Sequence, residues 1–233
     1  MGLCPIEEYH AEAAAVIQAS DGSDEAQEGS WQAVFEVMRN RMVLLLSAVY
    51  FFLKPTRYAI LLWGPLIVSE KLGTGMAKSG LISVLFEVAG PIGVLASGYI
   101  SDKLLQSRRM PVCVVSLLLL SVVLFSSDML TGSVWAMGVL LFLIGFFLFG
   151  PDSLIVGTAA VDFGTKKGAS TAAGLINGFG SIGAILGGSL PGVISQKYGW
   201  GALFYILGAS VLVSGLLLLP KWNAVPPTAG KRP

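Results

Sequence analysis

Six long apolar runs, separated by short polar connections, constrain this chain more than any other feature. They extend from Met42 to about Val68, Ser79 to Ile100, Pro111 to Phe125, Val134 to about Ala160, Thr171 to Ile194 and Ala202 to Leu219. A helix needs about 20 residues to cross the hydrocarbon of a bilayer, and apolar runs near that length are read as spans. The third run is short by this rule unless Arg109 and Met110 belong to it. Composition agrees with the pattern: of 233 residues, 54% are hydrophobic and only 12% charged, where a soluble domain carries about 25% charged residues. Such a chain cannot coat a globule with polar groups, but it can face lipid. The sequence therefore predicts an all-α membrane protein with six transmembrane helices.

Charge is unevenly spread. Residues 1–38 hold Glu7, Glu8, Glu12, Asp21, Asp24, Glu25, Glu28 and Glu36 and no Lys or Arg. With few large apolar side chains, this stretch reads as an acidic, flexible cytoplasmic segment. The bundle is expected over residues 39–222 and a cytoplasmic tail over 223–233. Six spans place both termini on one side. With the N-terminus in the cytoplasm, the inner segments hold Arg39, Arg41, Lys103, Arg108, Arg109, Lys166, Lys167, Lys221, Lys231 and Arg232. The outer segments hold only Lys71, Lys78 and Lys197, as the bias of basic residues toward the cytoplasm requires. The expected location is the cell (inner) membrane, multi-pass, with both termini cytoplasmic.

Several function classes drop out. No basic face or cluster offers a nucleic-acid footprint. Cys4 and Cys113 cannot form a disulfide framework, and His10 has no neighbours that would make a metal site, so no metal or cofactor is expected. Met1–Ser30 lacks the basic start and apolar core of a signal peptide. A membrane enzyme finds no support in any His/Asp constellation.

Two cations remain that no connection accounts for. Lys54 and Arg57 sit near the middle of the first run, about 18 Å from its start at 1.5 Å per residue. Three residues apart, they share a helix face, which Tyr50 joins four residues before Lys54. Each costs roughly 2.5–3.5 kcal/mol at the bilayer centre even on the lenient insertion scale. One explanation is an ion pair with Glu87 in the second run, or with Asp152 in the fourth, although Asp152 lies nearer the cytoplasmic end and out of evident reach. The other is a positive cavity for a dianion such as a phosphate ester, where Arg offers a planar bidentate fork and Lys a compact charge. Intramembrane charges default to function, which favours the second. Pro55 between them kinks the helix; Pro91 and Pro151 sit in comparable settings. Asn177 reads equally as helix-to-helix glue or as a cavity ligand. In the fifth run, Gly174/Gly178 and Gly183/Gly187 have the spacing that lets helices pack closely.

The connection Gly98-Tyr99-Ile100-Ser101-Asp102-Lys103, followed by Arg108-Arg109, resembles the G-x-x-x-D-[RK] loop of the major facilitator superfamily. Thr56-Arg57-Tyr58-Ala59-Ile60-Leu61-Leu62-Trp63 is similar to the R-Y-G-I-x-D-W segment of the organophosphate:phosphate antiporters, the family of glycerol-3-phosphate and hexose-phosphate transporters. Phe149-Gly150-Pro151 with Leu154-Ile155 resembles that family's Y-G-P-x-x-L-I-G stretch, and Lys166-Lys167-Gly168-Ala169 with Thr171-Ala172-Ala173-Gly174 its P-K-K-A-x-G-T-A-A-G stretch. Gly2-Leu3-Cys4-Pro5-Ile6-Glu7-Glu8-Tyr9 resembles the G-L-P-P-I-E-E-Y connection between the two halves of glycerol-3-phosphate transporters.

The resemblance spans nearly the whole chain, in register with the C-terminal half only. It implies a six-helix bundle built from a 3+3 inverted repeat. It also implies exchange of glycerol 3-phosphate or a sugar phosphate for inorganic phosphate. Arg57 matches the phosphate-binding arginine of this half, and an N-terminal six-helix half would supply a second arginine and a histidine. The expected substrate-binding set is Arg57, Lys54, Tyr50, Tyr58, Glu87, Phe149, Asn177 and Ser181, with Gly98, Asp102 and Lys103 in a conformational loop. Lys54, Phe149 and Ser181 stand where glycerol-3-phosphate transporters tend to have tyrosine, and Leu62 replaces the acid before Trp63. These departures bear on the organic part of the substrate. Other readings are a sensor that binds a sugar phosphate without moving it, and a proton-coupled symporter built on Glu87. A half could act with a matching half, as a truncated product, or as a homodimer.

Overall fold

The computed structural model describes residue 35 and residues 37–106, 108–159 and 169–224, and within them every regular element is helical. Helix α1 (Arg41–Leu72) starts at Asn40, whose side chain accepts the Met42 N–H at 2.9 Å, and stops at Gly73 in the left-handed conformation (φ 62°). A side-chain cap and an αL glycine are the ordinary signals for those two ends. Helix α2 (Met76–Tyr99) widens into a π-helical stretch, Ile100–Leu104. Helix α3 (Arg109–Phe125) takes in Arg109 and Met110, which completes the short third run but leaves it at 17 residues. Helix α4 (Val134–Ser153) is capped by Ser133 and passes into π-helical turns over Leu154–Ala159. The last helical stretch, Ala169–Leu218, is broken at Gly199 (φ 80°, ψ 167°) into α5 (169–198) and α6 (200–218).

Four of these stretches are long and apolar enough to cross a membrane, and the fourth covers both α5 and α6 in 53 residues. At 1.5 Å per residue an unbroken helix of that length would run about 80 Å, far beyond one bilayer. The break at Gly199 resolves this. The chain is an integral membrane protein.

Packing fixes the direction of each helix. Along α5, Gly183 and Gly187 lie against the backbone carbonyls of Phe51 and Pro55 in α1, and Gly192 against the Trp63 ring, so the two helices run the same way. Along α6, Ser210 donates to the Phe52 carbonyl (2.7 Å) and Ser214 to the Val49 carbonyl (3.0 Å), so α6 runs opposite to α1. Those bonds flank the Phe51 carbonyl, which Pro55 deprives of its N–H partner. Helices α2 and α4 are parallel: Gly93 meets the Phe146 carbonyl, Gly145 the Phe86 carbonyl, and Gly150 the Ser97 side chain. Phe125 and Leu118 of α3 meet Gly208 and Gly215 of α6 in antiparallel order. Exchanging α1–α3 for α4–α6 maps the α1/α5 pair onto the α4/α2 pair, as an inverted repeat demands.

Glycine is required at these crossings because a Cβ on Gly93, Gly145, Gly183 or Gly187 would overlap the opposing backbone. Gly174 and Gly178 behave otherwise: no described residue lies against them, so the close packing expected from their spacing does not occur among the described residues. They lie on the outward face of α5, with Asn177 and Ser181.

The core closes around Val43, Leu46, Leu53, Ile60, Phe86, Leu117, Leu140 and Phe204. Val37 is buried as well; residues 1–34, 36, 107, 160–168 and 225–233 lie outside the described part. At the end of the bundle where α1 stops, Trp200 donates to Glu70 (2.7 Å), and Asp128 accepts from Tyr205 (3.1 Å) and faces Lys71 (3.6 Å).

Candidate functional site

Lys54 and Arg57 project from α1 where α4 and α5 converge on it. Lys54 is 6% exposed, and its Nζ donates to the side-chain oxygen of Asn177 on α5 at 3.3 Å. The ammonium lies over the rings of Tyr50 (4.9 Å) and Tyr58 (5.3 Å), an aromatic cradle that offers electrostatic attraction without cancelling the charge. Arg57 stacks on Phe149 of α4, with its guanidinium carbon 4.6 Å from the ring centre. One of its terminal nitrogens meets Asp152 Oδ2 in a short ion pair of 2.5 Å.

This pair corrects the expectation that Asp152 lies out of reach. Asp152 sits about 13 Å past the middle of α4 at 1.5 Å per residue, and Arg57 near the middle of α1. Side chains on a helix tilt toward its N-terminus. Because α1 and α4 are antiparallel, Arg57 and Asp152 therefore lean toward each other and close the offset. Of the two acids that could have paired with the cations, the structure selects Asp152. Glu87 is exposed on α2 and forms no ion pair among the described residues.

The charge balance follows. Among the described residues Lys54 and Arg57 carry two positive charges against one carboxylate, a net +1, and the Lys54 ammonium is hydrogen-bonded to an amide oxygen, not ion-paired. A buried ion pair barely repays its own desolvation, so an additional buried cation is an invitation to an anion. The face of α5 beside the cluster is open: Asn177 and Ser181 are exposed, and the Ser181 hydroxyl donates back to the Asn177 carbonyl at 2.9 Å.

Tyr50, Lys54, Arg57, Tyr58, Phe149 and Asn177 are thus brought together, with Ser181 one turn further along the same face. Asp152 belongs with them; its signal in the sequence was an acid embedded in an apolar run, directly after Gly150-Pro151. Gly98 ends α2 with open space at its α-carbon, and Asp102 and Lys103 are exposed on the π-helical extension, away from the cluster. No three His, Cys, Asp or Glu residues converge on a metal position among the described residues.

The profile of the Major Facilitator Superfamily matches residues 11–179. The chain belongs to this superfamily. Curated proteins similar to it include transporters of phosphate esters and a membrane sensor. It is 38% identical to the "Probable hexose phosphate transport protein" of Chlamydia muridarum over 193 residues, covering 81% of this chain and 41% of that one. It is 32% identical to the "Membrane sensor protein UhpC" of Escherichia coli over 235 residues, covering 97% of this chain and 51% of that one. It is 29% identical to the "Glycerol-3-phosphate transporter" of Bacillus subtilis over 226 residues, covering 95% and 50%. These are relatives of the organophosphate:phosphate antiporter kind that the motifs resemble. The chain spans about half the length of the curated relatives it matches.

Proposed function

We propose that this chain is the C-terminal half of an alternating-access transporter that binds a small phosphorylated metabolite and exchanges it for inorganic phosphate. The observation that carries this reading is the mid-helix cluster of Lys54 and Arg57 with Asp152 as its one carboxylate among the described residues. Arg57 takes the phosphate through two parallel N–H bonds, Lys54 adds a point charge, and Tyr50, Tyr58, Phe149, Asn177 and Ser181 contact the organic part. Gly98, Asp102 and Lys103 form the turn that adjusts as the helices reorient. An N-terminal six-helix half closes the cleft against α5, where Gly174 and Gly178 leave room for its close approach. The bundle crosses a bacterial inner membrane six times with both ends in the cytoplasm.

The test is uptake of labelled phosphate and glycerol 3-phosphate into proteoliposomes preloaded with phosphate. Exchange by the chain paired with an N-terminal half, lost with Arg57→Lys, supports the reading. A paired sample that shows neither exchange nor binding overturns it. A second reading is favoured by the similarity to a membrane sensor over 97% of the chain: saturable binding of a sugar phosphate with no flux identifies a sensor.

A further inference from the structure

Asp152 occupies the guanidinium that the proposed ligand needs. Its side chain is 10% exposed against 29% for Arg57, so the carboxylate holds the guanidinium from the enclosed side while Arg57 keeps exposed surface of its own. One carboxylate oxygen, Oδ1, is buried without a hydrogen-bond partner, a costly state for a charged group. Asp152 thus grips Arg57 with half of its bonding capacity.

The position of Asp152 along α4 matters as much. Up to Gly150 the helix is clamped: Phe149 packs on Phe86, 5.2 Å between ring centres, and Gly150 on Ser97 of α2. Immediately beyond, Pro151 removes an N–H and the helix passes into the π-helical turns of Leu154–Ala159, a geometry that marks functional irregularities. The Asp152–Arg57 pair is therefore the charged tie between α1 and the less regular end of α4.

We infer that Asp152 is an internal competitor of the substrate's phosphate, displaced from Arg57 when the ligand binds and thereby releasing the end of α4 from α1. This rests on Arg57 being the phosphate anchor. A phosphate offers the guanidinium two oxygens where Asp152 offers one, and it engages Lys54 as well. With a dianion bound, an ionised Asp152 would leave the cluster at net −1 with two anions on one guanidinium, and like charges in a dry site repel strongly. The ligand therefore binds better to the arrangement in which the tie is open, which is the differential affinity a conformational change requires.

Calorimetric titration with inorganic phosphate tests this on the chain paired with an N-terminal half. With Asp152→Asn, the phosphate Kd is expected to fall about tenfold or more, since a close charge pair no longer has to be broken. Asp152→Glu keeps the competing charge and binds more weakly than the Asn variant; a purely structural role would make both substitutions weaken binding. Unchanged or weaker binding by folded Asp152→Asn overturns the inference. The native pair supplies an independent reading: with carbon-13-labelled aspartate, phosphate shifts an aspartate carboxylate stretch in the infrared difference spectrum, and no shift overturns the proposal even if the variants misfold. Native binding that survives Arg57→Lys defeats the choice of Arg57 as anchor, and with it both readings. Arg57-dependent binding without the Asp152→Asn gain defeats the competitor alone.

Discussion

Arg57 and Asp152 differ in what each loses when the other is removed. Arg57→Gln strands a carboxylate that is almost fully enclosed, and breaking a buried pair in this way costs about 3 kcal/mol. Asp152→Asn leaves a guanidinium that still reaches the cleft and stacks on Phe149, so its cost is smaller. Chemical denaturation in detergent should show that order, with the double substitution costing less than the sum of the two. Equal costs, or additivity, would mean that the pair is not a coupled unit. For ligand affinity, Arg57→Lys should weaken phosphate binding by at least about tenfold, because an ammonium cannot reproduce the bidentate fork. At this scale the sequence was informative about type but not about pairing. Two cations in an apolar run stood out from local charge alone. Which acid answered them depended on the antiparallel arrangement of α1 and α4 and on the opposite tilts of their side chains, and no spacing along the chain carries that.

Helices rather than side chains decide which glycines matter. Gly183 and Gly187 lie on the α1 backbone, so Gly183→Val or Gly187→Val should separate α1 from α5 and leave little folded protein, as read by monodisperse recovery in detergent. Gly174→Ala and Gly178→Ala meet no atom of the described residues and should leave thermal unfolding unchanged. A four-residue glycine spacing is identical in the two pairs, which is why the sequence could not separate them; the face of α5 each occupies does. The hydroxyl bonds from Ser210 and Ser214 to α1 are a milder case. Ser210→Ala should cost about 0.6 kcal/mol, the average for such interhelical bonds, in the same denaturation assay. A loss of several kcal/mol would assign Ser210 a larger part in supporting the α1 backbone beside Pro55.

Across the whole bundle, hydropathy located the spans well because a bilayer imposes one length on every crossing. It could not show that α2 and α4 each continue into π-helical turns, because the widened backbone there has no compositional mark. Nor could it order the helices in space: the parallel α1/α5 and α2/α4 pairs emerge from glycine contacts with partners far along the chain. The alternation of direction predicts sidedness. Cysteines placed at Asp102 and Lys197 should react with an impermeant thiol reagent from opposite faces of a sealed membrane, and labelling of both from one face would contradict the antiparallel order of α2 and α6 with their neighbours.

The single left-handed residue between α5 and α6 has a consequence for biogenesis. Gly199 leaves no polar connection long enough to wait outside while the next span is made. The fifty residues of Ala169–Leu218 are therefore expected to enter the bilayer together, as one hairpin that docks on α1 from both of its arms, and lengthening that corner should let α6 lag behind α5 during synthesis.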